Sequence, residues 1–305
     1  MNWLLIALIN PIAHAIANHL DKYIISRWFK ESPVGVFIIF SSLFAIVVLP
    51  VLLIYNPHLI TAISISKSLI LVVNGVLLAG AIMFYLYALE TEEASFVIPF
   101  FQLIPIFGLF IGYFILGEKL TSQQLWAVLL IVFGSLLLSL EFQTGHTRIK
   151  YRLILLMLGS SFLYALNSVL FKHFTLNHGF SSSLFWNMVG MVVFGIIILI
   201  VKQNYRHEFI HLLKTHHYKI ISLNVITEIL SLAGEVALLF AVLFAPVALV
   251  QSIGGLQPLF VFIIGIIITV FFPRFGKESL LYHHLTQKIL SIIVILSGLY
   301  ILEIK

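Results

Sequence analysis

The sequence predicts an all-α integral membrane protein, with ten transmembrane helices arranged as two inverted five-helix repeats. Three observations carry that expectation. First, the 305-residue chain is 61% hydrophobic and only 10% charged, more apolar surface than a soluble fold of this length can hide. Second, apolar runs of about twenty residues recur along the whole chain, each long enough to cross ~30 Å of hydrocarbon at ~1.5 Å per residue. Third, the chain repeats itself at half its length. Gly and Pro sit inside the runs, and polar residues do not alternate with apolar ones, which argues for helices over barrel strands.

Taken in order, the first run is 3–22. AHAIA (13–17) has the small-x-small spacing of a cleavage site, but no Lys or Arg precedes Lys22. The positive leader of a signal peptide is missing, so this run is expected to stay as the first span. Spans at 34–54 and 69–88 follow. The fourth, 95–116, contains Pro105, which removes a backbone donor and frees a carbonyl in the preceding turn. A span at 123–140 ends the first half. The second half opens with 152–172 and 183–201 and then crosses the polar connection KQNYRHEFIHLLKTHHYK (202–219). Spans at 220–243, 247–271 (with Pro258) and 288–302 complete it, the last two separated by FPRFGKESLLYHHLTQK (272–288). The connections leave little room for a soluble domain. With no cysteine, disulfides, thiolate catalysis and Cys-ligated metals are excluded. The net charge of +5 lies in the loops and reports topology rather than nucleic-acid binding.

The repeat is read from three alignments in the same order. LIPIFGLFIG (103–112) aligns without gaps to LQPLFVFIIG (256–265), a register of 153 residues. PIAHAIANHLDK (11–22) aligns with SFLYALNSVLFK (161–172), pairing Lys22 with Lys172. VLLIVFGSLLL (128–138) aligns with IIVILSGLYIL (292–302), pairing Gly134 with Gly298. The halves are therefore expected at 1–145 and 146–305. An odd number of helices per repeat forces opposite orientations in the membrane, the plan of many secondary transporters, with a binding site near the midplane between the halves.

The stretch FVIPFFQLIPIFGLFIGYFILGEKLTSQQLWAVLLIVFGSLLL (96–138) joins a proline in the fourth helix (Pro105), the turn GEKLT (117–121) and a fifth helix ending in a glycine-centred apolar run. In these features it resembles the EamA-type part of the drug/metabolite transporter superfamily. The likeness covers the whole chain in layout, and GEKLT is its most specific motif. In the second half an insertion replaces the tight turn and leaves FGKESL (275–280), a departure from the pattern. The resemblance implies secondary transport of small organic solutes through a cavity lined by helices 1, 3, 4, 6, 8 and 9, with both termini in the cytoplasm.

Residues 227–240, TEILSLAGEVALLF, place Glu228 and Glu235 seven apart inside an apolar run. Two helical turns put them on one face to within ~20°, with Glu235 near the centre of the hydrocarbon. Desolvation penalises the charged form of a carboxyl, and a neutral acid at that depth suits proton exchange or recognition of an amine. Their repeat mates are Gly75 and Ile82, so only one half supplies the carboxyls. His14, Asn18 and Lys22 form a polar stripe on the first helix, matched on the sixth by Tyr164, Ser168 and Lys172. Such a stripe must face protein or water, either lining a cavity or joining helices by hydrogen bonds. The two lysines lie near helix ends, where a lysine snorkels to the interface. Gln102 and Gln251 flank the proline breaks of the fourth and ninth helices, which are expected to border the cavity. Gly108 and Gly112 form a GxxxG packing face. Tyr85, with Tyr87, ends the third helix, at aromatic-belt depth. The substrate-contacting residues expected are thus His14, Asn18, Tyr85, Gln102, Tyr164, Glu228, Glu235 and Gln251, with Glu235 and Glu228 as the proton-coupling pair.

HEFIH (207–211) matches H-E-x-x-H, in which two histidines ligate zinc and the glutamate activates water. A zinc hydrolase using His207, Glu208 and His211, with His216 or His217 as third ligand, is the rival from another class. The pattern is expected in a short basic loop without a cleft, so the reading is a transporter, not an enzyme, with no catalytic residues, cofactor or metal. Its partners are a small-molecule substrate and membrane lipid, with no nucleic acid, as a monomer or homodimer in the cell (inner) membrane. The runner-up within transport is a facilitator or exchanger without ion coupling. Thirteen of the 17 Lys and Arg (residues 22, 27, 30, 148, 150, 152, 202, 206, 214, 219, 274, 277 and 288) follow odd-numbered helices. The positive-inside rule puts them in the cytoplasm and both termini outside, opposite to what the resemblance implies.

Overall fold

The computed structural model describes residues 3–28, 34–91, 97–139, 151–215, 218–271 and 282–303. Among these residues every regular element is a helix: α1 (Trp3–Trp28), α2 (Val34–Tyr55), α3 (Ile65–Thr91), α4 (Ile104–Leu116), α5 (Ser122–Ser139), α6 (Tyr151–His178), α7 (Phe180–Val201), α8 (Gln203–Thr215), α9 (Tyr218–Ala241), α10 (Val247–Gly254), α11 (Gln257–Phe271) and α12 (Tyr282–Glu303). Nine spans among the described residues are long and apolar enough to cross a membrane, with α10 and α11 counted as one. A tenth apolar stretch, Thr286–Leu302, is shorter and lies within α12. The chain is a multi-pass integral membrane protein.

The two proline-bearing spans are broken, as expected. The fourth starts as a 3-10 turn, Ile98–Leu103, and becomes α-helical only at Ile104, with Pro105 in the first turn where its missing N–H costs nothing. In this 3-10 turn the carbonyl of Phe100 accepts from Ser161 Oγ at 3.0 Å. The ninth is cut at Gly255 between α10 and α11, and the Gly255 carbonyl accepts from Gln102 Nε2 at 3.0 Å. The 153-residue sequence alignment pairs Gln102 with Gly255, the two residues that this bond joins. Residues 203–215, read as loop, instead form α8. Its Tyr205 ring sits so close to Gly35 at the start of α2 that any Cβ there would clash at 2.1 Å. Its hydroxyl donates to Tyr87 Oη of α3 at 3.2 Å.

GEKLT is explained position by position. Gly117 has φ 68°, a left-handed conformation that ends α4. Lys119 is exposed, and Leu120 packs against the buried cluster of Val128, Val132 and Leu249. Thr121 caps α5: its Oγ1 accepts from Gln124 N at 3.2 Å while Gln124 Oε1 accepts from Thr121 N at 3.0 Å, a reciprocal capping box. Glu118 points inward, as described below.

Packing pairs the halves. α1 packs along α9 and α3 along α6; α1 packs on α11 and α4 on α6; α5 pairs with α12, and α2 with α7. Aligned residues meet aligned residues. A Cβ on Gly134 would lie 2.8 Å from Ile295 and 3.0 Å from Ser291 O; one on Gly298 would lie 2.8 Å from Ile131 and 3.0 Å from Ala127 O. Small residues let backbones approach where lipid gives no hydrophobic drive. Side-chain bonds add to this: Asn74 Nδ2 donates to Asn167 O at 3.2 Å, and Asn167 Nδ2 returns one to Asn74 O at 3.0 Å.

Candidate functional site

A cavity of about 310 Å³ lies between the halves, within the range that holds a small organic molecule. All eight sequence-predicted site residues line it. His14 and Asn18 enter from α1, Tyr85 from α3, Gln102 from the 3-10 turn before α4, and Tyr164 from α6. Glu228 and Glu235 enter from α9 and Gln251 from α10. Their convergence follows from the packing: α1 lies along α9, and the broken fourth and ninth spans cross at the Gln102–Gly255 bond.

The lining carries two carboxyls and one imidazole and, among the described residues, no Lys or Arg. On one wall, Tyr85 stacks obliquely on Phe101 with centroids 4.9 Å apart, and Phe101 meets Tyr164 edge-on at 5.9 Å. Tyr85 therefore belongs to an aromatic wall rather than to a belt at a helix end, because α3 runs on to Thr91. The Gln251 amide and the Gln102 Oε1 are buried without a hydrogen-bond partner among the described residues.

The structure adds residues that the pattern did not expose. α2 contributes Phe37, Ser41 and Phe44 and α7 contributes Met188 and Met191, although the resemblance implied neither helix. Ser41 Oγ donates to Glu228 Oε1 across the cavity. Serines in apolar helices are common, and nothing in the sequence singled this one out.

The lining from α2 comes from its first half and that from α3 from its second half, which share one membrane face, while α9 lines the cavity from Asn224 to Leu238. At the opposite face the molecule is sealed. Lys172 Nζ donates to Glu118 Oε1 at 2.6 Å and to Ala245 O at 2.7 Å, while Glu118 Oε2 accepts from Val247 N at 2.8 Å. The two side chains are 10% and 13% exposed. Lys172 was expected to snorkel; instead the Glu118 turn and the bend before α10 close over it. The side chain of Lys22, its mate, lies outside the described residues, as does the mate turn FGKESL. Gly108 and Gly112 make the close contacts foreseen for GxxxG, against Gln251 and Glu118.

HEFIH lies on α8, not in a loop. His207, Glu208 and His211 are exposed there, and no group of three His, Cys, Asp or Glu that could hold a metal occurs among the described residues. His216 and His217 lie outside the described residues.

Comparison with known proteins agrees with this architecture. A solved crystal structure matches with a TM-score of 0.64 at 12% identity, over 99% of this chain and 96% of that chain, a likeness of fold. No curated protein matches. The model of the EamA-like transporter family matches residues 1–140, the half that contains Pro105 and GEKLT. Over those residues the chain is similar to the EamA-like transporter family.

Proposed function

We infer that this protein is a ten-helix secondary transporter of small organic amines or other cationic metabolites, coupled to protons through Glu235. It is built of inverted five-helix repeats over 1–145 and 146–305 and resides in the cell (inner) membrane, with both termini outside. The observation that carries the substrate class is the charge of the cavity: two carboxyls and an imidazole beside an aromatic wall, with no Lys or Arg in the described lining. A cation receives carboxylate and ring-face contacts there, whereas an anion meets two like charges. The reciprocal contacts of Gly134 with Ile295 and of Gly298 with Ile131 support the repeat. The cavity is complete within one chain, so a monomer suffices. The test is a thermal-shift panel on purified protein, using amines and carboxylates matched in size. Amines should stabilise it and carboxylates should not; stabilisation by carboxylates alone would overturn the substrate class.

A further inference from the structure

α8 has 13 residues and a polar sequence, so it is no span, and it lies between two that are. α7 crosses the membrane as Phe180–Val201, and the next span begins at Ser222. The chain leaves α7 through a bend of one residue, Lys202 (φ −101°, ψ 87°), directly after the exposed apolar pair Ile200 and Val201. α8 therefore starts at the level where hydrocarbon gives way to headgroups. One side of it is already occupied. Tyr205 and Phe209 pack against Ile38 and Ile39 of α2 and Ile198 of α7, and the Tyr205 ring fills the space over Gly35. This seating holds α8 against the protein at the membrane face.

Another side carries an ordered charge pattern. Arg206 N donates to Lys202 O at 3.1 Å, so the four-residue step of a helix already runs from Lys202. Lys202, Arg206, Ile210 and Lys214 follow at that step as one row, drifting only ~40° per step. Lys202 and Lys214 are exposed, Arg206 is half-buried, and Ile210 is 41% exposed. The single acid of α8 stays off this row. Glu208 lies about 180° round the helix from the middle of the row. It is on the Tyr205 side, where burial, the bond to Tyr87 and the carboxylates of Glu90 and Glu208 push the Tyr205 phenol up. Three cations around one exposed apolar side chain, at the end of a membrane span, match an anionic headgroup above acyl chains.

We propose that this row binds anionic phospholipid headgroups of the leaflet at that face, with phosphate held by Lys202, Arg206 and Lys214 and with Ile210 set at the acyl boundary. The consequence reaches the cavity. Tyr205 seats on Gly35, two residues before Phe37 of the lining, so a lipid held by α8 steadies the α2 wall. The proposal stands apart from the transport reading, and its test uses no substrate.

The test is the melting temperature of purified protein in detergent with added phosphatidylglycerol, phosphatidylcholine or inorganic phosphate, at matched ionic strength. Phosphatidylglycerol should raise it by several degrees, and the other two should not. Lys202→Gln with Lys214→Gln should lose most of that rise, while Lys202→Arg with Lys214→Arg should keep it. Lys67→Gln with Lys119→Gln removes the same charge from exposed lysines of the opposite face and should also keep it. No rise with phosphatidylglycerol, or an equal rise with phosphatidylcholine, would overturn the proposal. So would an equal rise with inorganic phosphate, which would assign the row to a free anion. An undiminished rise in the Lys202/Lys214 glutamine variant, or an equal loss in the Lys67/Lys119 variant, would do the same. Failure of the transport reading would show separately, as an absence of uptake and of amine stabilisation, whatever the lipid does.

Discussion

The two membrane faces of this molecule are packed in different ways. On one, Lys172, Glu118 and the backbone around Pro246 form a buried, fully bonded seal, and α3 lies on α7 through Gly75 and Gly190. On the other, α9 stands off α2, and Ser41 and Glu228 meet across the cavity mouth. Gly75 admits backbone contact of α3 with α7, whereas the position that the sequence alignment pairs with it, Glu228, carries a side chain bonded to Ser41 of α2. The seal also differs in kind from ordinary helix packing. An ion pair with few other routes to water is costly to break by halves, yet both partners regain hydration if the face opens.

The largest effect should come from breaking the seal on one side only. Lys172→Met leaves Glu118 buried without its partner and should cost about 3–5 kcal/mol in unfolding measured in detergent. The double variant Lys172→Met with Glu118→Gln should recover much of that loss. Next, Gly75→Ala sets a methyl against the Asn187 carbonyl and should cost about 1–3 kcal/mol through overpacking, while Glu228→Gly at the mate position should cost less. Thr121→Ala removes the α5 cap and should cost about 1 kcal/mol, visible as a small fall in melting temperature. The smallest effect concerns α8. His207→Ala with His211→Ala should leave uptake unchanged and purified protein without stoichiometric zinc; a tightly held zinc lost on mutation would revive the hydrolase reading. Orientation has its own check. A reporter active only in the cytoplasm, fused after Lys305, should be silent, which would place the open face inside.

Most of this architecture was legible because bilayer physics leaves few choices. The ten apolar runs, the breaks at Pro105 and Pro258 and the convergence of His14, Gln102 and Glu235 follow from length, missing donors and the rule that polar groups in lipid face protein or water. What escaped the sequence depended on partners distant in the chain. Lys172 reads as a snorkelling end residue until Glu118, 54 positions away, is folded beside it. The GEKLT turn marked the spot, but its glutamate had no visible partner. Ser41 carried no signal because a serine can satisfy itself within a helix. The connection 202–219 was read by polarity as loop, whereas its alternation of Tyr205 and Phe209 with charged residues gives α8 one face to lay on α2.

The central claim is that Glu235 exchanges the proton that drives transport. Glu235→Gln keeps the shape and much of the hydrogen bonding of the side chain but cannot titrate. The measurement is accumulation of a labelled amine, chosen from the stabilising panel, in proteoliposomes with and without an imposed pH gradient. The parent should concentrate the amine only when the gradient is present. Glu235→Gln should fold, lose gradient-driven accumulation and show binding without pH dependence, with Glu228→Gln milder. Accumulation by Glu235→Gln to the parent level with an unchanged pH profile would contradict the account and make this carboxyl a matter of packing.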